Sequence, residues 1–427
     1  MNQTANLRTF SRYASLNMLG MIGISRGTGA TGLAALNIAI PAYNLLNGLG
    51  LMTGVGGATQ FSICRAQKDS QGADRAFTNA VFLGLGIGAL FLLLGVFGAA
   101  PLSYLLGADA ETFPLTSVYL RTLLSFSPFF VINNVLLAFV RNDGDPGRAM
   151  RGMVIGSLSN IVFDYLFIFP LGMGMFGAAL ATGVSPIISI LLQIGHLRKA
   201  SRGFHLLRIR PQVRAMPALC APGLSSLIGE ASSGVVLLLF NLTMLRLTGN
   251  TGVAAYGIIA NLALVAIAIF QGLSTGMQPL VSHSSGAGDR AALRRLFRYG
   301  VVTALNVATL LYVLVCTFAE PISAAFNSAG DPVLTGYAVP GLRIYFLGFW
   351  CAGLNIVSAA FFSASGHTAT GFAISLVRGV AAIPPILFAL AALFGVTGVW
   401  AAFPAVEAIT AILTLVCIRH AFATDRR

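Results

Sequence analysis

The chain has 427 residues, of which 56% are hydrophobic and only 9% are charged, and it carries a formal net charge of +13. A soluble globular protein carries roughly 25% charged residues, so a chain this apolar would expose large apolar patches in water. The composition excludes a soluble enzyme or binding module and predicts a polytopic membrane protein.

The first apolar run begins near Leu16 and ends at Ser25, where Arg26 and a predicted glycine-rich turn follow. Ten residues are too few to cross a bilayer core, which takes roughly 20. Longer apolar segments then follow near 33–60, 77–100, 117–140, 152–171, 175–197, 216–246, 253–281, 299–318, 341–363, 371–394 and 396–418. Because lipid cannot satisfy open backbone groups, these spans are expected to be helices. The predicted fold class is an all-α polytopic membrane protein with about 12 transmembrane helices, the first one shortened.

Most of the Lys and Arg residues lie in alternate connections between the predicted spans, and the densest group is in 198–214. The positive-inside rule places these connections and both termini in the cytoplasm, which predicts a multi-pass membrane protein. The positive charge is therefore interpreted as a topology signal, and no nucleic-acid partner is expected.

The two halves of the chain resemble each other at an offset near 220 residues. "GATGLAALNIA" (29–39) matches "GNTGVAAYGII" (249–259), and "GADRA" (72–76) matches "AGDRA" (287–291). Asn133 corresponds to Asn355, and Gly144 corresponds to Gly366. Six spans in each half predict parallel repeats that form two six-helix bundles around a central cleft, as in alternating-access carriers. The predicted domains are a lobe with the linker start, 1–205, and a second lobe, 206–427.

The repeat also offers an interpretation of the short first run. The apolar chain before "GATG" is shorter than the apolar chain before "GNTG" by roughly a dozen residues, which is most of a membrane span at 1.5 Å per residue. Residues 16–25 are therefore predicted to begin a span whose outer part is absent.

Four longer motifs carry a family resemblance that covers nearly the whole chain. They are "LNIAIPAYNLLNGLGLMTGVGGAT" (36–59), "FVRNDGDPGRAM" (139–150), "NIVFDYLFIFPLGMGMFGAALAT" (160–182) and "QPLVSHSSGAGDRAALRR" (278–295). With them the chain resembles the multidrug and toxic-compound extrusion (MATE) family, bacterial branch. The resemblance implies twelve helices in two lobes and export of cationic or amphipathic compounds in exchange for Na⁺ or H⁺. It also implies a first helix that carries an Asp, in the stretch that this chain lacks.

Asp164 lies inside the apolar span 152–171. A carboxylate at mid-bilayer costs at least ~2.5–3.5 kcal/mol, so it is expected to face a cavity or a partner. Asn160 lies one turn earlier on the same helix face. The resemblance implies a cation site at Asn160, Asp164 and Thr182, with Na⁺ possible at Asp164 and no other metal. The alternative is a structural Asp whose carboxylate only accepts hydrogen bonds.

Other polar residues lie within predicted spans. Glu230 matches an acidic residue in the seventh helix of the family, which implies a role in cation coupling or in binding substrate charge. Glu407 follows Pro404 and is assigned a structural or cleft-lining role, while Arg378 either pairs with Glu407 or extends to the interface. The predicted cleft also includes Gln60, Asn37, Asn44 and Gln278. Pro41 bends its helix, either as a gating element or as a static kink.

Catalytic motifs do not account for the chain. "GLSTG" (272–276) fits G-x-S-x-G, but that motif requires a strand–turn–helix context, and here it lies in an apolar span. The sequence contains no phosphate-binding loop of the G-x-x-x-x-G-K-[ST] type. No enzymatic activity and no cofactor other than the coupling ion are expected.

These observations predict a monomeric secondary exporter that antiports small amphipathic organic cations against Na⁺ or H⁺ by alternating access, in contact with membrane lipid. The alternative is a lipid-linked oligosaccharide or lipid flippase of the same superfamily. A flippase cleft would need several inward basic residues to hold a pyrophosphate, whereas only Arg378 is placed deep in a span.

Overall fold

The computed structural model of the chain describes residues 3–199, 202–208, 213–327 and 331–423, with side chains from Thr31 onward apart from a few positions. The described residues are almost entirely helical, and they contain no β-strand. The all-α prediction is confirmed. Nine helices in these ranges are long and apolar enough to cross a membrane, or ten when the pair Phe113–Ser125 and Ser127–Asn142, bent by 48°, is counted as one span.

Six long helices form the first part of the chain. They are α1 (Gln3–Ala66), α2 (Ser70–Leu105), α3 (Phe113–Ser125), α4 (Ser127–Asn142), α5 (Pro146–Ile168) and α6 (Gly174–Leu197). The short helix α7 (Met216–Cys220) follows between two 3₁₀ turns, Val213–Ala215 and Ala221–Gly223.

The rest of the chain begins with the longest helix of the second half, α8 (Leu224–Gly286). It continues with α9 (Arg290–Thr317), α10 (Ala319–Phe326), α11 (Pro332–Tyr345), α12 (Phe349–Ala364), α13 (Thr368–Leu376) and α14 (Ile383–Ala423). A 3₁₀ turn (Phe346–Gly348) lies between α11 and α12, and a π-helical turn (Val377–Ala381) follows α13.

The predicted turn after the first apolar run is wrong. Backbone hydrogen bonds continue through the glycine-rich segment, and α1 runs as one helix from Gln3 to Ala66. Glycine inside a helix costs only about 1 kcal/mol relative to alanine, and the segment contains no proline, so nothing in 26–32 forces the chain to turn. Residues 16–25 are thus the beginning of α1 and not a separate shortened helix. The cytoplasmic location of the N-terminus, which depended on that turn, stays a prediction.

Two pairs of predicted spans are joined at glycines. Gly249 in α8 and Gly395 in α14 have φ values of 68° and 58°, so the helical path is interrupted at each of them. These positions separate the predicted spans 216–246 and 253–281, and 371–394 and 396–418. Left-handed backbone is strained for residues with a Cβ, which explains why glycine occupies both breaks.

The sequence repeat has counterparts in local backbone structure. The turns before α2 and α9 each contain a left-handed residue, Lys68 (φ 61°) and Gly288 (φ 70°), directly before an aspartate that caps the helix. Gly144 (φ 82°) and Gly366 (φ 90°) occupy matching turns after α4 and α12. Each half of the chain therefore uses the same capping chemistry at an offset of about 220 residues, whereas the parallel relation of the halves stays a prediction.

The chain divides into two compact units, which we call the first unit (Met1–Ala231) and the second unit (Ser232–Arg427). The predicted domain boundary between residues 205 and 206 stays a prediction. In the first unit, α7 and the start of α8 pack on α1. The approach is close, because a Cβ on Gly56 would collide with the carbonyl of Leu219, and one on Gly223 would collide with that of Met52. Glycine is the residue that allows two backbones this close.

A short strap, Gly203–Leu207, crosses the end of the first unit where α1 ends, α5 begins and α6 ends, which we call the basic end. Phe204 is 1% exposed and packs on the rings of Phe77 and Phe139, with centroid distances of 4.4 and 5.6 Å. The amide of His205 donates to Asp74 Oδ1 at 2.6 Å, and the amide of Leu207 donates to Thr78 Oγ1 at 3.0 Å. The strap is therefore held by both apolar burial and hydrogen bonds.

A charged cluster lies under the strap and is built around His196. The ring of His196 is within 2.9 Å of Asp143 Oδ2 through Nε2 and within 3.2 Å of Asp145 Oδ2 through Nδ1. Asp143 also accepts from the amide of Gly203 at 2.8 Å and from Arg65 at 2.9 Å. The cluster thereby joins α1, α6, the strap and the turn before α5.

The Asp145 carboxylate is the most heavily paired acid of that cluster. Partial burial raises its pKa, but hydrogen bonds from Lys199 (2.6 Å), His196 and Arg148 (3.1 Å) lower it by more, so the pKa lies well below its ordinary value. A depressed pKa stabilises the fold at pH values above the unfolded pKa, near 4, and that stabilisation is lost as the pH falls toward the folded pKa.

We expect Asp145→Asn to lower the free energy of unfolding by about 1–3 kcal/mol at pH 7, because it removes the charge from three hydrogen bonds while asparagine can still cap α5. Chemical denaturation in detergent between pH 3 and 7 measures this difference, which is expected to shrink below about pH 4. Asp289→Asn, at the cap of α9, is the control. If the difference in the free energy of unfolding between Asp145→Asn and wild type did not change with pH, the depressed pKa assigned to Asp145 would be contradicted.

We expect Gly144→Ala and Gly366→Ala each to destabilise the protein by about 1–2 kcal/mol, because an L-residue with a side chain is strained at their positive φ. Gly147→Ala is the matched control. Gly147 lies in the helical first turn of α5, and a Cβ added to it would meet no heavy atom within 4 Å, so alanine is expected to be neutral or stabilising there. Thermal unfolding of the three variants decides the question, and equal stability of Gly144→Ala and Gly147→Ala would exclude the strain.

Candidate functional site

A polar stripe lies along α5 in the first unit. Gly152, Gly156, Asn160 and Asp164 are spaced four residues apart, so they share one face of the helix. The two glycines allow α6 to approach, because a Cβ on Gly156 would lie 3.3 Å from the carbonyl oxygen of Ser185 and one on Gly152 would collide with the Gln193 amide. Close packing of α5 on α6 therefore brings the polar residues of both helices together.

The predicted cation-coupling residues of this region lie next to one another. The amide of Asn160 donates to Thr182 Oγ1 at 3.4 Å, and the Thr182 hydroxyl donates to the carbonyl of Ala178 at 3.0 Å. Tyr119 also hydrogen-bonds Thr182. Asp164, one turn further along α5, is 6% exposed, and no described protein group hydrogen-bonds its Oδ1. The site thus contains a buried carboxylate with free acceptor capacity.

A cavity of about 130 Å³ lies on the basic side of Asn160. Its wall is mostly polar and uncharged, and it is formed by Tyr43, Asn47, Phe130, Asn133, Asn134, Met153, Gly156, Ser157, Ser185, Pro186 and Ser189. The Ser185 hydroxyl donates to the carbonyl of Gly156 at 2.7 Å. Asn133 Oδ1 and Ser189 Oγ are buried, and no described protein group hydrogen-bonds either atom. The cavity is therefore polar enough to hold small hydrogen-bonding molecules.

Glu230 connects to the same cavity from the other side. Its carboxylate is hydrogen-bonded by Asn47 of α1, and Asn47 Oδ1 accepts from Asn134 of α4 at 3.0 Å. The start of α8 lies against α1 here, since a Cβ on Gly48 would be 3.2 Å from the Glu230 Cβ. Glu230 thus belongs to one polar assembly with the cavity, and Asp164 lies two helical turns beyond the α5 lining of that cavity.

The other predicted cleft residues are more scattered. Pro41 lies within α1 with an exposed side chain, and Asn37 of the same helix is also exposed. Asn44 and Gln60 are half-buried, and Gln278 is buried in the second unit. None of these five is among the residues that line the cavity, so their roles stay predictions.

In the second unit, Glu407 and Arg378 form a buried ion pair, which decides between the two alternatives predicted for Arg378. Arg378 Nε lies 2.8 Å from Glu407 Oε1, and the two side chains are 17% and 2% exposed. The Nε–H is not aligned for a hydrogen bond, so the contact is an ion pair. Arg378 lies on the π-helical turn, a widened form of helix that reorients side chains.

Asn355 completes this pair. Its amide donates to Glu407 Oε2 at 2.8 Å and to the backbone carbonyl of Glu407 at 2.9 Å, and its own Oδ1 accepts from Thr414 at 2.9 Å. Both carboxylate oxygens of Glu407 therefore have a protein partner, Oε1 in the ion pair with Arg378 and Oε2 in the hydrogen bond from Asn355.

Sequence reasoning missed the asparagines and the α6 residues. Asn133 and Asn355 were matched as repeat partners, and the structure places the first in the cavity wall and the second on Glu407. Their recurrence within apolar spans was the signal that could have identified them. Ser189 and Gln193 follow Thr182 at helical spacing, which the same periodicity could have shown.

The sequence matches the MatE family over residues 9–166 and 227–388, which is most of the chain. The chain belongs to the MatE family. It is 28% identical over 421 residues to the multidrug export protein MepA of Staphylococcus saprophyticus, covering 97% of this chain and 91% of that one. It is 25% identical over 398 residues to MepA of Staphylococcus aureus, covering 92% and 87%.

Solved structures give the same fold. An outward-facing multidrug resistance MATE family transporter of the MOP superfamily aligns with a TM-score of 0.90 at 23% identity, covering 97% of this chain and 93% of that one. A MOP superfamily transporter from Pyrococcus furiosus, described as having a binding pocket of reverse polarity, aligns at 0.89 and 22%, covering 98% and 94%. Two helical bundles are the fold of these MATE transporters, and the chain is a transmembrane transport protein of this family.

We expect Arg378→Met to lower the free energy of unfolding by about 3–5 kcal/mol, because it leaves the Glu407 carboxylate buried without its cation. The double variant Arg378→Met/Glu407→Gln is expected to recover most of that loss, since glutamine keeps the hydrogen bond to Asn355. Thermal and chemical unfolding in detergent compare the two. Equal stability of the single and double variants would show that the ion pair does not couple the two residues.

Proposed function

We propose that this chain is a secondary active multidrug exporter of a bacterial cytoplasmic membrane, which antiports small amphipathic organic cations against Na⁺ or H⁺ by alternating access. The observation that carries the proposal is the buried Asp164 carboxylate beside Asn160 and Thr182, with an oxygen that no described protein group satisfies. A cation gradient provides the driving force, since each charge crossing the membrane contributes about 2.3 kcal/mol per 100 mV. The names of the MepA relatives support multidrug export.

In this proposal Asp164 takes up the coupling ion, and Glu230 either shares in coupling or binds substrate charge. The polar assembly that runs from Glu230 through Asn47 and Asn134 to the cavity supports a shared role. An ion can shift an equilibrium between two conformations only by binding one of them more tightly. Protonation or cation binding at a buried carboxylate has that property, because the free energy of its charged form depends strongly on its surroundings.

The ion pair in the second unit argues against the flippase alternative. A pyrophosphate headgroup is held by several free cationic side chains. Arg378, the one cation that the sequence places deep in a span, has its charge neutralised by Glu407 at 2.8 Å. We therefore propose a non-enzymatic, monomeric exporter of cations, with its basic loops and C-terminus in the cytoplasm.

We expect Asp164→Asn to reduce gradient-driven efflux of a cationic dye from proteoliposomes at least tenfold, because the amide cannot take up a proton or pair with a cation. Exchange of the dye at equal concentrations, which needs no gradient, is expected to continue. Separate Na⁺ and H⁺ gradients identify the coupling ion, and Asp331→Asn, at the cap of α11, is the control. Undiminished gradient-dependent efflux by Asp164→Asn would remove Asp164 from the mechanism.

A further inference from the structure

A row of unpartnered polar atoms continues from Asp164 toward the basic end of the first unit. After Asp164 Oδ1 come Asn133 Oδ1 and Ser189 Oγ at the cavity, and then both Nε2 and Oε1 of Gln193. Ser189 is 2% exposed and Gln193 is fully buried, and no described protein group hydrogen-bonds these atoms. A buried polar group left unsatisfied costs about 1–3 kcal/mol. Several unsatisfied polar groups in one row indicate a shared polar ligand that hydrogen-bonds all of them.

Apart from Asn133, which belongs to α4, the row follows the seam between α5 and α6. Ser185, Ser189 and Gln193 are spaced four residues apart on α6, so they face α5 along one line. That line ends at His196, where Asp143 and Asp145 close the seam under the strap. From Asp164 to the first residue of α5 the helix rises about 27 Å, most of the ~30 Å hydrocarbon core. The seam therefore joins the buried acid to the charged cluster at one end of the helices.

The size of the seam identifies its occupant. The cavity has about 130 Å³, which is room for several water molecules. Drug-sized ligands occupy sites of roughly 300–1,000 Å³. At Gly152 the two helices are in direct contact, because a Cβ there would collide with the Gln193 amide, so the waters lie beside this contact and not within it. Water is the small donor and acceptor that satisfies Ser, Asn and Gln side chains at once.

We propose that the α5–α6 seam is a hydrated proton path that connects Asp164 with the basic end of the first unit, an inference that rests on the proposed function and assigns H⁺ as its coupling ion. The Asp164 carboxyl group releases its proton to the nearest water and remains as a carboxylate. Each water accepts one proton and passes one on, and the last gives it to solvent water beside Asp145, whose carboxylate is partly exposed. Ser189 and Gln193 hold the waters in line and keep their protonation states.

The lining favours H⁺ over Na⁺. A hard metal ion takes about six oxygen ligands and carries its hydration shell until it is bound. The stripes facing each other between Asp164 and His196 carry glycine, serine, asparagine and glutamine but no carboxylate. A hydrated ion does not fit past Gln193, whereas a proton needs only a continuous hydrogen-bonded chain. At the end of the path, His196 directly contacts Asp143 and Asp145, from the turn before α5, and the ring of Phe204. Asp145 is in turn paired with Lys199 and Arg148, and Asp143 with Arg65 of α1.

The test compares Gln193→Leu and Ser189→Ala with Gln271→Leu and Ser159→Ala. Gln271 is exposed on α8, and Ser159 lies on α5 with its hydroxyl bonded to the carbonyl of Ile155. Each protein is reconstituted in liposomes that contain a pH-sensitive dye. Dye-cation efflux and H⁺ movement are measured under an imposed pH gradient and under a Na⁺ gradient, together with dye binding and thermal stability in detergent.

We expect Gln193→Leu to lower H⁺-driven efflux and H⁺ movement at least tenfold and Ser189→Ala to lower them several-fold, with dye binding unchanged and both controls at wild-type rates. Thermal stability is expected to stay the same or rise, because each variant removes buried polar atoms that no protein group satisfies. A loss of stability in parallel with transport would indicate a structural role and overturn the proposal.

Two further results would overturn the proton path while leaving the proposed function intact. In the first, H⁺-driven efflux requires Asp164 but persists at wild-type rates in Gln193→Leu and Ser189→Ala. In the second, efflux follows the Na⁺ gradient alone. If wild-type protein exports dye under neither gradient, the proposed function itself fails, and that outcome is distinct from the other two.

Discussion

The cost of a buried polar group without a partner is the constraint on which the arrangement of this protein depends. In the membrane there is no bulk water to hydrogen-bond an amide or carboxylate, so each such group must find a protein partner, an ion or an enclosed water. The two halves of the chain meet this constraint differently. The second unit pairs Glu407 with Arg378 and Asn355. The first unit leaves Asp164 Oδ1 without a protein partner and contains a polar cavity whose α5 lining ends at Ser157, two helical turns before Asp164.

The repeat makes the contrast sharper. Asn133 and Asn355 are 222 residues apart, Ser157 and Arg378 are 221 apart, and Pro186 and Glu407 are 221 apart. Asn133, Ser157 and Pro186 all line the cavity of the first unit. Positions that hold an ion pair in one half thus border an open polar space in the other. A filled site has no free acceptor for a further ion, whereas an open one has, so the asymmetry supports the proposal that ion uptake takes place in the first half.

Much of the fold could be predicted from the composition, the apolar segments and the internal repeat. Eleven long apolar segments and the placement of Lys and Arg predicted helices that the structure contains. The matching caps at Asp69 and Asp289 were not predicted, because the repeat had aligned Asp289 with Asp74. Residues 26–32 are helical, although the sequence predicted a turn there. That prediction was inferred from glycines, which permit a turn without requiring one. Asp164, Asn160 and Thr182 came from a carboxylate in an apolar span and from family resemblance. Helical spacing places Asn160 next to Asp164, whereas Thr182 reaches Asn160 only through the packing of α6 on α5.

The cavity and the seam could not be predicted, because they depend on which helix faces which. A serine or glutamine within an apolar span is compatible with a hydrogen bond to its own helix, to a neighbour or to water, and the sequence does not distinguish these. Only the packing of Gly152 and Gly156 against α6 places Ser185 and Gln193 opposite α5. The same reasoning applies to Arg378, for which the sequence allowed two environments and the structure shows one.

The strap has a consequence for the order of events during synthesis. Its contacts come from three parts of the chain: Phe61 and Asp74, Phe139 and Asp143, and His196. Together these parts span more than 100 residues. Residues 203–207 leave the ribosome directly after α6 and before most of the second half, and domains generally fold as units from the N-terminus. The strap can dock only when these helix ends have come together. Its docking therefore marks the completion of the first helical bundle, and a chain with a misassembled bundle would enter synthesis of its second half with a free, basic connecting segment.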